Sequence, residues 1–206
     1  MAGNSPRVGV LALQGDVREH LRVLADLGAD ARPVRRPAEL AEVEGLVLPG
    51  GESSVIDKLA RAFDLFEPIR SAIAEGLPVF GTCAGLILLA DRVDGAIEGQ
   101  QTFGGLDVRV QRNAFGGQTQ SFETDLAVPA LGDPPVHAVF IRAPAVVETG
   151  PDATPLASLP DGRIVAVQQG NLIGTAFHPE STGETRFHAR LLDLVHRRRG
   201  AAAVAS

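Results

Sequence analysis

In the first half of this chain, short apolar runs alternate with stretches of helical periodicity, and this alternation limits the fold more than any other feature. Arg7 to Leu13 reads as a buried strand closed by the turn Gln14-Gly15-Asp16. Val17, Leu21, Leu24 and Gly28 then recur at helical spacing, with charged residues between them. Ala29 to Arg35 is a second strand, ended by Pro37, and Gly45 to Leu48 is a third, running into Pro49-Gly50-Gly51. A helix capped by Ser53 or Ser54 follows as far as Ala74, with a break expected near Pro68. Leu77 to Phe80 is the next strand. Strands joined through helices pair in parallel by right-handed crossovers, so an α/β fold is expected, its mostly parallel central sheet covered by helices on both faces.

Beyond Gly104 the pattern changes to short strand-like runs separated by Gly, Pro and Asp: 106–110, 136–141, 145–148, 163–168 and 172–176. These read as added hairpins and sheet extensions. A final helix starts near Thr182, with Phe187, Leu191 and Val195 on one face. No repeat or linker divides the chain, so residues 1–206 are expected to form a single domain, with 1–6 and 200–206 flexible. The net charge of −6 and the lack of Trp and Tyr argue against a nucleic-acid surface. The one basic cluster, Arg197-Arg198-Arg199, is read as a helix-end charge. A lone cysteine, no apolar stretch of membrane-spanning length and an N-terminal apolar run too short for a signal peptide point to a reducing, cytoplasmic setting.

That cysteine lies in Gly81-Thr82-Cys83-Ala84-Gly85, between the strand ending at Phe80 and the helical run 86–90. Small neighbours permit a sharp strand-to-helix turn that exposes a nucleophile, and a helix starting behind it favours the thiolate. A cysteine nucleophile needs a base, and the base needs an orienting acceptor. Of the histidines, His20, His188 and His196 lie on helices where solvated or capping roles suffice, and His137 begins a strand as a satisfied core residue. His178 instead emerges at a strand end, with Glu180 two residues on and on the same side of an extended segment. The order Cys83, His178, Glu180 differs from the nucleophile–acid–histidine order of α/β-hydrolases. No metal or cofactor is expected, because His178 and Glu180 lack partners at ligand spacing. Pro49-Gly50-Gly51-Glu52-Ser53 supplies backbone N–H groups suited to an oxyanion.

These stretches together resemble the class I (triad) glutamine amidotransferases, and within them the glutaminase subunits of pyridoxal 5'-phosphate synthase. The cysteine elbow and Phe177-His178-Pro179-Glu180 resemble the wider class. Leu13-Gln14-Gly15-Asp16, Arg112-Asn113-Ala114-Phe115-Gly116, Ser121-Phe122-Glu123 and Phe140-Ile141-Arg142-Ala143-Pro144 resemble the vitamin B6 branch. Gly117, where a larger residue such as Arg is usual, and Ser181, where Leu is common, depart from the pattern.

The resemblance implies a three-layer, flavodoxin-like fold and hydrolysis of L-glutamine to glutamate and ammonia for a (β/α)8-barrel synthase. It implies Cys83, His178 and Glu180 as the triad, and backbone N–H groups of Gly51 and Ala84 as the oxyanion hole. It further implies glutamine contacts from Gly51, Glu52, Ser53, Arg112, Ile141 and Arg142, and a role for Gln14 in aligning the oxyanion loop or the partner. Glu52 suits an ammonium and an arginine suits a carboxylate, and the residues leave open whether Arg112 or Arg142 provides it. The Gly50-Gly51 pair is a place where a partner can select one peptide orientation. The alternative within the class is the glutaminase subunit of another triad amidotransferase, such as that of imidazole glycerol phosphate synthase.

Overall fold

The computed structural model describes residues 5–115 and 121–204. Its first half follows the alternation: β1 (Arg7–Leu11), α1 (Val17–Asp26), β2 (Asp30–Val34), α2 (Pro37–Leu40), β3 (Gly45–Leu48), α3 (Ser53–Ala62), α4 (Phe66–Ala74), β4 (Val79–Thr82) and α5 (Ala84–Leu89). The remainder is β5 (Ala90–Asp94), β6 (Leu106–Gln111), β7 (Ser121–Leu126), β8 (Val136–Ile141), β9 (Ala145–Thr149), β10 (Thr154–Ser158), β11 (Ile164–Gln169), β12 (Leu172–Thr175), α6 (Pro179–Thr182) and α7 (Arg186–Val204).

Ten of these strands form one sheet in the order β2-β1-β3-β4-β12-β11-β9-β6-β5, with β10 added on β11, and β7-β8 form a separate hairpin. The half that carries the site is parallel: β1 pairs with β2 and β3, β3 with β4, and β4 with β12. Antiparallel pairs of β11, β9 and β6 extend it. The strands β1, β3, β4 and β12 read as continuous apolar runs because they are buried on both faces. Since they run the same way, the loops after Leu11, Leu48, Thr82 and Thr175 open on one edge, the edge at which open α/β sheets build sites. The decisive pairing is β4 with β12, in which Thr82 lies opposite Thr175. It sets the residue after Thr82 beside the segment leading to His178, and the Cys83 N–H donates to the Thr175 carbonyl at 2.7 Å.

The hairpin β7-β8 is joined to the main body by aromatic packing. Phe122 stacks on Phe140, Phe140 meets Phe177 edge-on, and Phe177 meets Phe187, which stacks on Phe80. Phe80, Phe140, Phe177 and Phe187 are fully buried. Each contributes roughly 1.5–3 kcal/mol by burial, so this column holds the hairpin's end, with Ile141 and Arg142, against the site.

Several local readings are corrected. The cap of α3 is Glu52, whose carboxylate accepts from the Ser54 N–H at 3.2 Å, while Ser53 and Ser54 are already inside the helix. The break before α4 falls at Asp64, which takes a positive φ of 57°, and Pro68 sits in the first turn of α4, where its missing N–H costs nothing. The strands β5, β7 and β10 are additional to those expected, because most of each is exposed or half-buried and so lacks a continuous apolar run. The last helix continues to Val204, so Arg197-Arg198-Arg199 is not at its end; Arg199 pairs with Glu44 and Arg198 reaches the Glu75 carbonyl. His137 is exposed between Asp125 and Glu123 rather than in the core. Gly116 and Gly117 lie outside the described residues.

Candidate active site

Cys83 takes φ 48° and ψ −100°, a positive φ that a non-glycine residue holds only when its surroundings enforce it, at a cost of about 1–3 kcal/mol. The flanking glycines are that surrounding. A Cβ on Gly85 would lie 2.1 Å from the Leu48 carbonyl oxygen, and one on Gly81 would lie 2.5 Å from the Gly85 backbone. The turn closes only because neither side chain exists. The helix α5 starts at the next residue, so the thiol stands at its N-terminal end.

His178 follows β12 and precedes the short helix α6. Its Nδ1 lies 2.8 Å from Glu180 Oε1, and it lines the same cavity as Cys83, close enough for Cys83 to raise the imidazole's pKa. The structure therefore brings Cys83, His178 and Glu180 to one place. The Glu180 side chain is only 1% exposed and sits behind the imidazole, away from the cavity. A second carboxylate, missed in the sequence reading, reaches the same nitrogen: Asp16 Oδ2 is 3.2 Å from His178 Nδ1. Burial pulls the histidine's pKa down, but the bonds to Asp16, Cys83 and Glu180 outweigh it and push the pKa up to about 12. Burial raises the Glu180 carboxyl above its ordinary value, with the His178 contacts pulling against it. Asp16, His178 and Glu180 also form a cluster of metal-capable donor types with ligand atoms within 4.8 Å of one another. Their separations are those of hydrogen bonds, an imidazole N–H shared by two carboxylates. Ser181 Oγ donates to the His178 carbonyl at 2.8 Å, an anchor a leucine there lacks.

The loop after β1 clasps the loop after β3. Gln14 Oε1 accepts from the Glu52 N–H at 2.8 Å, and the Asp16 N–H donates to the Gly50 carbonyl at 3.2 Å. These contacts hold both sides of Gly51, which sits at φ 150° with Gln14 Oε1 occupying the space a Cβ would need. Because the Gly50 carbonyl points at Asp16, the N–H of the same peptide, that of Gly51, points the opposite way.

A cavity of about 610 Å³ opens over these groups. Cys83, Ala84, His178, Gln14, Gly51 and Glu52 line it, together with Ser53, Arg112, Ile141 and Arg142. Every sequence-predicted site residue is thus brought together, Glu180 from behind. Arg112 donates to Glu52 Oε1 at 2.8 Å and to Gln100 Oε1 at 2.9 Å, and Gln100 Nε2 donates to Ser53 Oγ at 2.9 Å. Opposite charges and paired donors and acceptors therefore stand side by side on one wall. Arg142 takes φ 45° and Asn113 φ 50°, so both pocket loops turn sharply at the wall. Asp16 was within reach of the sequence as the last residue of the Leu-Gln-Gly-Asp stretch. Gln100, in an irregular loop, carried no local signal.

Two further residues depart from expectation. His20 and His188 are 0% exposed, not solvated or capping. The signal was present in the periodicity: His20 shares the face of Val23 and Leu24, and His188 that of Leu191, Leu192 and Val195.

A strained cysteine at a strand-to-helix elbow, backed by His and Glu on a mostly parallel sheet, describes a glutamine amidotransferase fold. A crystal structure of a glutamine amidotransferase, 46% identical, superposes with a TM-score of 0.85 over 92% of this chain and 98% of that one. The chain belongs to the SNO glutamine amidotransferase family, whose model matches residues 10–196. It is 68% identical over 198 residues to the pyridoxal 5'-phosphate synthase subunit PdxT of Leifsonia xyli subsp. xyli, covering 96% of this chain and 100% of the relative. It is 66% identical over 193 residues to the PdxT subunit of Clavibacter michiganensis subsp. michiganensis, covering 94% and 92%. Among the described residues no helix is long and apolar enough to cross a membrane.

Proposed function

We propose that this chain hydrolyses L-glutamine to L-glutamate and ammonia, and delivers the ammonia to the synthase subunit of pyridoxal 5'-phosphate synthase. The observation that carries the reading is that Cys83 and His178 line one cavity large enough for an amino acid, with His178 Nδ1 2.8 Å from the buried Glu180. Family membership and the names of the relatives supply the partner. The chain is taken to work in the cytoplasm beside a (β/α)8-barrel synthase.

In this mechanism the Cys83 thiolate attacks the side-chain carboxamide carbon, forming an S–C bond and an oxyanion. Backbone N–H groups of Gly51 and Ala84 stabilise that oxyanion, each donor being worth about two to three decades of rate in comparable sites. His178, held as imidazolium by its carboxylates, gives its Nε2 proton to the departing nitrogen as the C–N bond breaks and ammonia leaves. A water then attacks the thioester, losing a proton to His178, and the C–S bond breaks to release glutamate and restore Cys83. Glu180 keeps the proton on Nδ1, so that Nε2 faces the sulfur. The Glu52–Arg112 pair offers opposite charges to the amino and carboxylate groups of glutamine, alongside Gly51, Ser53, Ile141 and Arg142.

The test is Cys83→Ala assayed with the synthase. Product formation from glutamine should fall by more than about a thousandfold, while formation from ammonium chloride continues. Glutaminase activity persisting in that variant refutes the proposal.

A further inference from the structure

Two histidines that this scheme leaves unused are buried behind its carboxylate. His20 Nδ1 lies 2.8 Å from His188 Nε2, and His20 Nε2 lies 3.2 Å from Thr82 Oγ1 and 3.5 Å from Glu180 Oε1. The cluster joins α1, β4, α6 and α7, and touches both the residue before the nucleophile and the carboxylate that orients the catalytic histidine. Phe80 closes one side, edge-on to both rings.

The proton positions follow from the partners. Glu180 faces Nε2 of His20, and a lone pair there would be repelled by the carboxylate, so that nitrogen carries the proton. Nδ1 of His20 is then an acceptor, and His188 donates to it from Nε2. This leaves His188 Nδ1 as a bare lone pair, and that atom is indeed buried without a hydrogen-bond partner among the described residues. The opposite assignment would orphan a buried N–H donor, which is rarer than an under-satisfied acceptor, and would aim a lone pair at Glu180. Both ends of the chain select the same tautomers. Burial holds both rings neutral, lowering His188 to about 4 and His20 well below its ordinary value, the latter aided by the neighbouring His188 and His178.

Glu180 needs such a neighbour. Among the described residues its Oε2 is buried with no hydrogen-bond partner, and Oε1 lies 2.8 Å from His178 Nδ1. A buried carboxylate so thinly bonded tends to take up a proton or to turn, and either change would release the His178 ring.

We infer that His20 is a positioning residue for glutamine hydrolysis: its Nε2–H, oriented by His188, keeps Glu180 an ionised, fixed acceptor for His178 and ties it to Thr82 at the cysteine elbow. The inference rests on reading Cys83, His178 and Glu180 as the hydrolytic triad.

His20→Leu, His20→Gln and His188→Phe, each checked for native folding by circular dichroism, are assayed for glutaminase activity with the synthase present. His20→Leu should lower kcat about tenfold, the scale on which outer partners of functional histidines act, with little change in KM for glutamine. His20→Gln, which retains an N–H donor on that side, should recover most of the loss. His188→Phe, which frees the His20 tautomer, should fall between them. Wild-type kcat in folded His20→Leu, or equal deficits in His20→Leu and His20→Gln, would overturn the inference. Should His20→Leu fail to fold, a wild-type kcat in His188→Phe would do the same. Cys83→Ala run in parallel separates the two levels: activity there defeats the triad reading, whereas its loss beside unaffected histidine variants defeats only this inference.

Discussion

Gly50 and His178 are packed so closely that a Cβ on the glycine would lie 2.2 Å from Cε1 of the imidazole, and 2.8 Å from Asp16 Oδ2. The Gly50-Gly51 loop and His178 thus share one van der Waals surface. Gly50→Ala should push the ring away from its place beside Glu180, lowering kcat by about a hundredfold, as ångström-scale misplacements do. The measurement is steady-state glutaminase kinetics together with a melting curve. Unchanged kcat would mean that the ring has room to move without loss.

Asp16 places a second negative charge on His178 Nδ1, and that charge helps hold the imidazolium at a pKa of about 12. Asp16→Asn removes the charge while keeping the shape, so the pKa of His178 should fall. The rate limb that reports loss of the imidazolium proton should then move to lower pH. A pH profile of kcat for both proteins checks this, and superimposable alkaline limbs would contradict it.

Gln14 acts on the Glu52 N–H, next to the Gly51 peptide. Gln14→Ala deletes that acceptor and should cost about 1 kcal/mol of transition-state stabilisation, roughly a fivefold fall in kcat/KM, with the fold intact. A Gln14→Ala enzyme with wild-type kcat/KM would show that the backbone contact from Asp16 is sufficient to hold the loop.

His20 and His188 make folding stability depend on acid pH. Both are neutral in the folded protein well below the ordinary histidine value of 6.5, so between about pH 6.5 and 4 the unfolded chain binds more protons. Stability is therefore lost as pH falls through that window, and His188 alone accounts for on the order of 3 kcal/mol of the loss across it. The sign reverses for His178: its raised pKa gives stability that is full below pH 6.5 and lost as pH rises toward 12. Urea denaturation at pH 7 and pH 5 should show a smaller loss for His188→Phe than for the parent chain. Equal losses would show that His188 does not titrate on unfolding in this range.

Much of this was legible in the chain itself, for identifiable reasons. Strands buried on both faces are continuous apolar runs, so β1, β3, β4 and β12 announced themselves, whereas β5, β7 and β10, half-exposed, did not. Glycines flanking Cys83 marked the elbow because only their missing side chains let Leu48 and Gly81 approach. The pair His178 and Glu180 was readable because only one residue separates them, although Glu180 lies in the helix α6, capped by His178, and not in the extended segment expected.

Contacts between distant segments were decided by the tertiary structure alone. The sequence determined that a cysteine would stand at a strand-to-helix turn and that a histidine would follow a later strand. Only the insertion of β12 beside β4 brought them together, because strand order is set by packing of whole apolar faces rather than by neighbouring residues. The same packing carried Asp16 to His178, and buried His20 against His188, where exclusion of water turned helix histidines into a neutral chain behind Glu180.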